Sequence, residues 1–267
     1  MIYILTNHHA TPDWISLQSR ILELRTAEDP YKVFCGITDI EGELPQQPKN
    51  YQFDLLEGTV NRHADKMNRL FEIADADHPS DDDLIIFLDP DAFPITDKWI
   101  EGIRQVLSKF PLLAISREEN IEPLLREDQK PYPHPCFAAT TYKFWKQNSL
   151  SWELDVQEGA SCAGVMLKKW LEENNHKWAK ILRSNVYDLH PLNYGVYGEM
   201  IYHHGSGNRP TYDSVDIWSR PTLSQKYGAG VDLHYPGLLN FNDDVSALVL
   251  EYIKKDDDFI NYYFLGR

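Results

Sequence analysis

The chain has 267 residues, enough for one large α/β domain, and its 42% hydrophobic and 25% charged residues are an ordinary globular composition. Its 41 acidic residues outnumber 26 basic ones, which gives a formal net charge of -15 without any Lys/Arg-rich run. This charge argues against nucleic acid as a partner. A phosphate-bearing substrate would need local positive charge, and a metal ion is its simplest source.

The first 116 residues alternate between apolar runs typical of strands and apolar positions at helical spacing. Strands are predicted at Ile2–Leu5, Tyr31–Ile37, Tyr51–Leu56, Leu84–Leu88 and Leu112–Ser116, and helices at Ile15–Leu24, Asn61–Ala76 and Trp99–Phe110. The run LIIFL at Leu84–Leu88 is apolar throughout, as expected for a central strand covered on both faces. The order predicts a mostly parallel sheet with helices on both faces.

The second half of the chain is richer in Tyr, Trp, His, Asn and Pro and has fewer clear periods. Helices are predicted at Ser161–Asn174 and Asp243–Lys254. Neither an internal repeat nor a sharp linker divides the sequence. We expect a single domain over residues 1–267, in which a nucleotide-sugar-binding half, 1–116, continues into an acceptor-binding half, 117–267.

Three cysteines, Cys35, Cys136 and Cys162, are widely spaced and odd in number, which argues against a disulfide framework and a structural zinc site. The N-terminus does not have the pattern of a signal peptide, and no run approaches the about 20 apolar residues that cross a bilayer. We therefore expect a cytoplasmic protein with no membrane span.

Two carboxylates, Asp89 and Asp91, follow the LIIFL strand directly and flank Pro90. Ligands of open α/β sheets bind beyond the carboxyl ends of the strands. An extended backbone places residues i and i+2 on one side, and Pro90 biases Asp89 toward extended geometry. The pair therefore predicts a site for Mg²⁺ or Mn²⁺, which can bridge a diphosphate. Alternatively, these residues form only an acidic turn.

The segment DDLIIFLDPDAFPI resembles the DxD segment of GT-A-fold glycosyltransferases, which are nucleotide-diphospho-sugar transferases, here of family-2-like type. The helix predicted at Asn61–Ala76 resembles the one that precedes this segment in the family. The resemblance implies a Rossmann-like α/β/α sandwich with a mostly parallel central sheet. It also implies that Asp89 and Asp91 hold Mn²⁺ or Mg²⁺ and contact the ribose and diphosphate of a donor, most often a UDP-sugar.

The same similarity implies where the rest of the donor lies. Thr6, Asp39 and the stretch from Asn61 to Lys66 are expected to face the base and ribose. Lys66 is expected to reach a phosphate or an acidic side chain.

Two adjacent histidines, His203 and His204, resemble the metal ligand that many GT-A enzymes draw from downstream of the DxD segment. On a strand they point to opposite faces, so one is expected to bind, and the nearby glycine turn favours His204 slightly. The Gly-Ser-Gly that follows allows close approach to a phosphate, and Arg209 can pair with one. Alternatively, this is a surface histidine pair before a turn. His8 and His9, placed just after the first strand, are expected to stack on the nucleobase or to have a polar role in a loop rather than to bind a metal.

An inverting transferase needs a base that takes the proton of the acceptor hydroxyl. Asp155 and Glu158 lie where inverting GT-A enzymes carry an acidic motif at the start of a helix, and the resemblance makes them the candidates. Their spacing of three residues places both on one face of a helix. Alternatively, they are acids favoured at a helix N-terminus by its dipole.

The expected function is a metal-dependent hexosyltransferase that passes a sugar from a nucleotide-sugar to a hydroxyl of a carbohydrate or another acceptor, with inversion. A metal-dependent phosphohydrolase is the first alternative, because DPDAF superficially resembles the DxDxT or DxDxV loop of haloacid dehalogenase phosphatases. Phe93 stands where those carry Thr or Val, which fits poorly. The second alternative is an inactive module of the same fold that binds nucleotide or carbohydrate.

Overall fold

Ten strands and five helices make up the part of the chain that the computed structural model describes, residues 1–9, 12–26, 28–38, 43–56, 63–116, 131–153, 163–184 and 195–204. The strands are β1 (Ile2–His9), β2 (Tyr31–Thr38), β3 (Tyr51–Leu55), β4 (Leu84–Leu88), β5 (Ala92–Pro94), β6 (Leu112–Ser116), β7 (Pro133–Thr141), β8 (Ala179–Ile181), β9 (Gly195–Tyr197) and β10 (Ile201–His203). The helices are α1 (Pro12–Arg25), α2 (His63–Asp75), α3 (Trp99–Leu107), α4 (Tyr142–Gln147) and α5 (Ala163–Glu173). None of these helices is both long and apolar enough to cross a bilayer.

Seven of the strands form a central sheet in the order β3-β2-β1-β4-β7-β6-β8. Neighbouring strands are parallel except at β7, which is antiparallel to both β4 and β6. The predicted α/β class with a mostly parallel sheet is confirmed. Strand β7 follows β6 in the chain but lies between β4 and β6, so residues before and after position 116 share one sheet.

The apolar strand β4 explains how the layers pack. Leu84, Ile86 and Leu88 enter one core with side chains of α1 and α3, and Ile85 and Phe87 enter a second core with α2, α4 and α5. All five side chains are buried. Since a fully buried side chain of this size contributes about 1.5–3 kcal/mol, β4 anchors both helical layers to the sheet. The layering is that of the expected α/β/α sandwich.

A small antiparallel sheet of three strands, in the order β5-β10-β9, stands beyond the end of β4. Strand β10 pairs with β5 so that Tyr202 lies opposite Phe93 and His203 lies opposite Ala92. The rings of Phe93 and Tyr202 are 5.0 Å apart and both are fully buried. This pairing places His203 next to the carboxyl end of β4.

The predicted strands and helices of the first 116 residues are all present, with small differences at their ends. Strand β1 continues through His8 and His9, which the sequence placed after it. The helix predicted at Ser161–Asn174 is present as α5, whereas Asp243–Lys254 lies outside the described residues.

Gly164, in the first turn of α5, lies against the backbone of β7. A Cβ at this position would stand 1.6 Å from the carbonyl oxygen of Pro133. We expect Gly164→Ala to lower the free energy of unfolding by about 2 kcal/mol or more, because overpacking typically costs about 1–3 kcal/mol. Urea denaturation measures the effect.

The matched control is Gly102→Ala in α3, where the nearest heavy atom to the added Cβ would be the Met200 Sδ at 3.7 Å. Alanine fits there and is the better helix former, so we expect a gain of about 0.5–1 kcal/mol. Equal effects of the two substitutions would contradict the close approach of α5 to β7.

Candidate active site

Asp89 and Asp91 lie in a tight turn at the carboxyl end of β4. The backbone N–H of Ala92 donates to the Asp89 carbonyl oxygen at 3.0 Å, which places Pro90 at the second position of the turn. The extended backbone expected for this segment is therefore wrong. The fixed φ of proline suits the second position of a turn, and Asp is favoured at the first.

His203 stands between the two carboxylates. Its Nε2 lies 3.4 Å from Asp89 Oδ2 and 3.5 Å from Asp91 Oδ1. Ligand atoms held to one divalent ion by bonds of ~2.1 Å lie about 3.0–3.4 Å from one another. The two distances from His203 to the carboxylates are close to this spacing, and the pairing of β10 with β5 supplies the histidine.

Two further side chains approach Asp89 that the sequence did not single out. His63, the first residue of α2, places its Nε2 3.2 Å from Asp89 Oδ1. Cys136 of β7 forms a compact group with Asp89 and His203, in which one ligand atom from each lies within 4.8 Å of the others. His63 falls inside the stretch expected to face the donor, but neither residue has a motif spacing that marks it in the sequence.

Gln18 of α1 holds the backbone of the turn by hydrogen bonds. Its Nε2 donates to the carbonyl oxygens of Asp89 (2.8 Å) and Ala92 (2.9 Å), while its Oε1 lies 3.2 Å from His8 Nε2. On the other side, the backbone N–H of His204 donates to the Asp91 carbonyl oxygen at 2.9 Å. The backbone that carries the two carboxylates is therefore fixed by α1 and by the end of β10, as precise ligand placement requires.

Asp91 is buried and Asp89 partly buried, yet both carboxylates stay ionised. Burial opposes the charge of Asp89, but His63 and His203 outweigh it and hold its pKa well below the usual value. Burial likewise opposes the charge of Asp91, and His203 again prevails and lowers its pKa despite the repulsion of Asp89. A pair of ionised carboxylates facing one point is an arrangement that attracts a cation.

Opposite charge comes from the imidazole of His203. Burial lowers its pKa, but the electrostatic influence of Cys136 and of the Asp91 and Asp89 carboxylates prevails and raises the pKa well above the usual value. His203 thus carries positive charge between the carboxylates. A divalent ion held by these residues would supply the positive charge instead, with His203 neutral as a ligand.

His204 and His8 have a different environment. Burial lowers the pKa of each to about 4, so both are neutral near pH 7. His204 Nδ1 lies 2.8 Å from the Tyr202 hydroxyl, and its ring is 4.9 Å from that of Trp14. The structure therefore brings His203 to the two aspartates and engages His204 with its aromatic neighbours.

Thr6, within β1, and Lys66, on α2, are expected nucleotide-binding residues in the described part of the chain. Thr6 is fully buried, and its hydroxyl makes no hydrogen bond within that part. Lys66 of α2 donates from Nζ to the Thr38 hydroxyl at 3.1 Å, at the end of β2. The other predicted site residues lie outside the described residues: Asp39, Asn61, Asp155, Glu158 and Arg209.

No family model matches this chain, and no curated protein sequence is similar to it. Several solved nucleotide-diphospho-sugar transferases are similar in fold. The galactosyltransferase LgtC, in complex with donor and acceptor sugar analogues, is 14% identical with a TM-score of 0.38, and the match covers 65% of each chain. S. aureus TarS 1-349, in complex with UDP-GlcNAc, is 11% identical with a TM-score of 0.36 over 57% of this chain and 48% of that chain.

A nucleotidyl-type enzyme is similar to the same degree. The 4-diphosphocytidyl-2C-methyl-D-erythritol synthase of Anaerococcus prevotii DSM 20548 is 8% identical with a TM-score of 0.39 over 68% of this chain and 86% of that chain. The matched region spans slightly less than two thirds of LgtC. Likeness at this level describes the fold, and the activity follows from the residues of the site itself.

The position of the two histidines predicts opposite responses to substitution. His203→Ala should weaken Mn²⁺ binding about a hundredfold or more, because even partners outside the first coordination shell cost 10–100-fold. His204→Ala should change it by less than about tenfold, because the hydrogen bond to the Asp91 carbonyl comes from the backbone. Isothermal titration calorimetry measures both, with melting curves to confirm folding, and a larger loss in His204→Ala would contradict the assignment.

Proposed function

We propose that this protein is a metal-dependent glycosyltransferase that transfers a hexosyl group from a nucleotide-sugar, with UDP as the nucleotide, to an acceptor hydroxyl. The observation that carries the proposal is the convergence of Asp89, Asp91 and His203 at the carboxyl end of β4, with Nε2 3.4 and 3.5 Å from the carboxylates. This is the position at which open α/β sheets bind ligands.

The residues present fit a divalent ion. His203 Nδ1 is a buried polar atom that makes no hydrogen bond within the described residues, and two carboxylates with one imidazole suit Mn²⁺ or Mg²⁺. We propose Asp89, Asp91 and His203 as the ligands. A bound ion would neutralise the diphosphate and stabilise the departing nucleoside diphosphate.

The nucleoside is proposed to lie over the ends of β1 and β2. The hydroxyl of Thr6, which makes no hydrogen bond within the described residues, supports this, as does Lys66, whose ammonium group reaches the end of β2. Asp39, directly after β2, and Asn61, just before α2, are proposed to complete the contacts to base and ribose. Arg209, a few residues beyond His203, is proposed to pair with a phosphate.

The acceptor is proposed to bind through residues 117–267. Asp155 or Glu158 takes the proton of the acceptor hydroxyl as its oxygen forms the bond to the anomeric carbon. The bond from that carbon to the diphosphate breaks, and the nucleoside diphosphate leaves from the opposite face, so the configuration inverts. Asp89 and Asp91 hold the site that receives the leaving diphosphate.

The environment of Phe93 disfavours the phosphohydrolase alternative. The DxDxT and DxDxV loops carry Thr or Val at this position. Here Phe93 is fully buried in β5 and packs on Tyr202 at 5.0 Å. Phe93 is part of a hydrophobic core and has no hydroxyl that could donate to the carboxylates.

The function is tested with Asp91→Ala. Wild-type protein should show a rise in melting temperature with UDP and Mn²⁺ together, because ligands of the native state stabilise it by mass action. The variant should lose this rise. Release of UDP from UDP-sugars should fall at least about a hundredfold, because charge stabilisation by a metal is worth several kcal/mol.

The matched control is Asp82→Ala, which removes an exposed aspartate from the turn before β4 and should change neither quantity. Full activity in Asp91→Ala would contradict the proposal. A metal-dependent shift without turnover of any nucleotide-sugar would favour the inactive binding module. Phosphate release from a simple phosphoester, with no need for a nucleoside, would favour the phosphohydrolase.

A further inference from the structure

An irregularity in β7 sets Cys136 at the end of β4. Consecutive residues Ala114 and Ile115 of β6 pair with Ala138 and His134, so the register shifts by three residues of β7 at this point. Such bulges re-aim side chains and are frequent beside active sites. Here the bulge contains Cys136, whose carbonyl oxygen accepts from the Asp89 N–H at 3.0 Å.

The position of Cys136 is fixed on both sides. Its own N–H donates to His134 Nδ1 at 3.1 Å, in addition to the bond between its carbonyl and Asp89. The side chain is fully buried and its thiol is free of any disulfide. Cys136, Asp89 and His203 together place sulfur, oxygen and nitrogen ligand atoms within 4.8 Å of one another.

This grouping points to a ligand and not to a core thiol alone. His203 is only 4% exposed, and its Nδ1 makes no hydrogen bond within the described residues. Ligand atoms of a tetrahedral zinc site with one sulfur lie ~3.6 Å apart. The ligand atoms of Cys136, Asp89 and His203, each within 4.8 Å of the others, would approach one another to reach that spacing.

We propose that Cys136 is a sulfur ligand of the same metal centre, and that it gives the centre a preference for borderline ions such as Zn²⁺ and Co²⁺ over Mn²⁺ and Mg²⁺. The inference rests on the metal centre of the proposed function and names its metal class. On binding, the thiol proton leaves to solvent as the bond from sulfur to the metal forms. Thiolate selects softer ions, whereas two carboxylates and an imidazole alone accept harder ones.

In the part of the chain that the structure describes, Cys35 is a buried cysteine without the metal-ligating neighbours of Cys136. Both cysteines are fully buried and belong to the same apolar core, and burial, with a smaller effect of Asp54, raises the pKa of Cys35 well above the usual value. Within the described residues Cys35 belongs to no group of potential metal ligands. Cys35→Ser is therefore the matched control for Cys136→Ser, and Cys162→Ser covers the third cysteine of the chain.

The test is a Co²⁺ titration of the metal-free full-length protein followed by absorption spectroscopy. Wild type, Cys35→Ser and Cys162→Ser should show visible d–d bands together with a near-ultraviolet band for charge transfer from sulfur to cobalt. Cys136→Ser should keep the d–d bands and lose the charge-transfer band. Competition titrations should show the ratio of Zn²⁺ to Mn²⁺ affinity falling by about tenfold or more in this variant, the size of effect typical of metal-site substitutions.

The outcomes separate the inference from the function on which it rests. Visible bands without a charge-transfer band in the wild type would overturn sulfur ligation and leave the metal centre intact. A charge-transfer band that persists in Cys136→Ser would also overturn it. If Co²⁺ gave no bands at all, the inference and the proposed metal centre would both fail. Cys136→Ala repeats the test if the serine variant does not fold.

Discussion

The arrangement on which the site depends is the burial of two ionised carboxylates, Asp89 and Asp91, against one point at the end of β4. Taking charges out of water is costly unless opposite charge and hydrogen bonds replace the solvent, and leaving one partner uncompensated typically costs about 3–5 kcal/mol. His203 supplies the opposite charge, His63 Nε2 lies 3.2 Å from Asp89 Oδ1, and Gln18 fixes the backbone. Buried ionisable groups with strongly shifted pKa values are typical of functional sites, and a cation site accounts for this group.

The rest of the fold can be understood as support for that point. Strand β4 is buried on both faces, so its carboxyl end cannot move relative to the helical layers. Helix α1 reaches the turn through Gln18, and α2 delivers His63. Strand β7 contributes Cys136 and a backbone bond to Asp89, and β10 contributes His203. Parts of the chain that are distant in sequence meet at one end of a single strand.

Much of the fold could be predicted from local patterns. The apolar run of β4 and the helical periods around it are properties of short segments, and the carboxylates follow the strand directly, so order and position were accessible from the sequence. A proline flanked by aspartates is compatible with an extended and with a turn conformation, the sequence left both open, and the structure has the turn.

The partners of the carboxylates could not be predicted, because they depend on pairing between distant segments. The choice between His203 and His204 is decided by the register of β10 on β5, and a slip of one residue would exchange them. Cys136 is placed by a bulge that has no signature in the sequence, and His63 by the docking of α2. The sequence thus marked the two aspartates of the candidate site and a pair of histidines, while which histidine contacts the aspartates, and the presence of Cys136 beside them, needed the three-dimensional structure.

The central claim, that these side chains form a metal centre, is tested most directly by anomalous diffraction from crystals soaked in Mn²⁺. We expect one strong peak within about 2.5 Å of an Asp91 oxygen and of His203 Nε2, at the distance of a ligand bond. The absence of a peak there, with His203 still contacting both carboxylates directly, would show that the cluster is a structural ion-pair network and would contradict the claim.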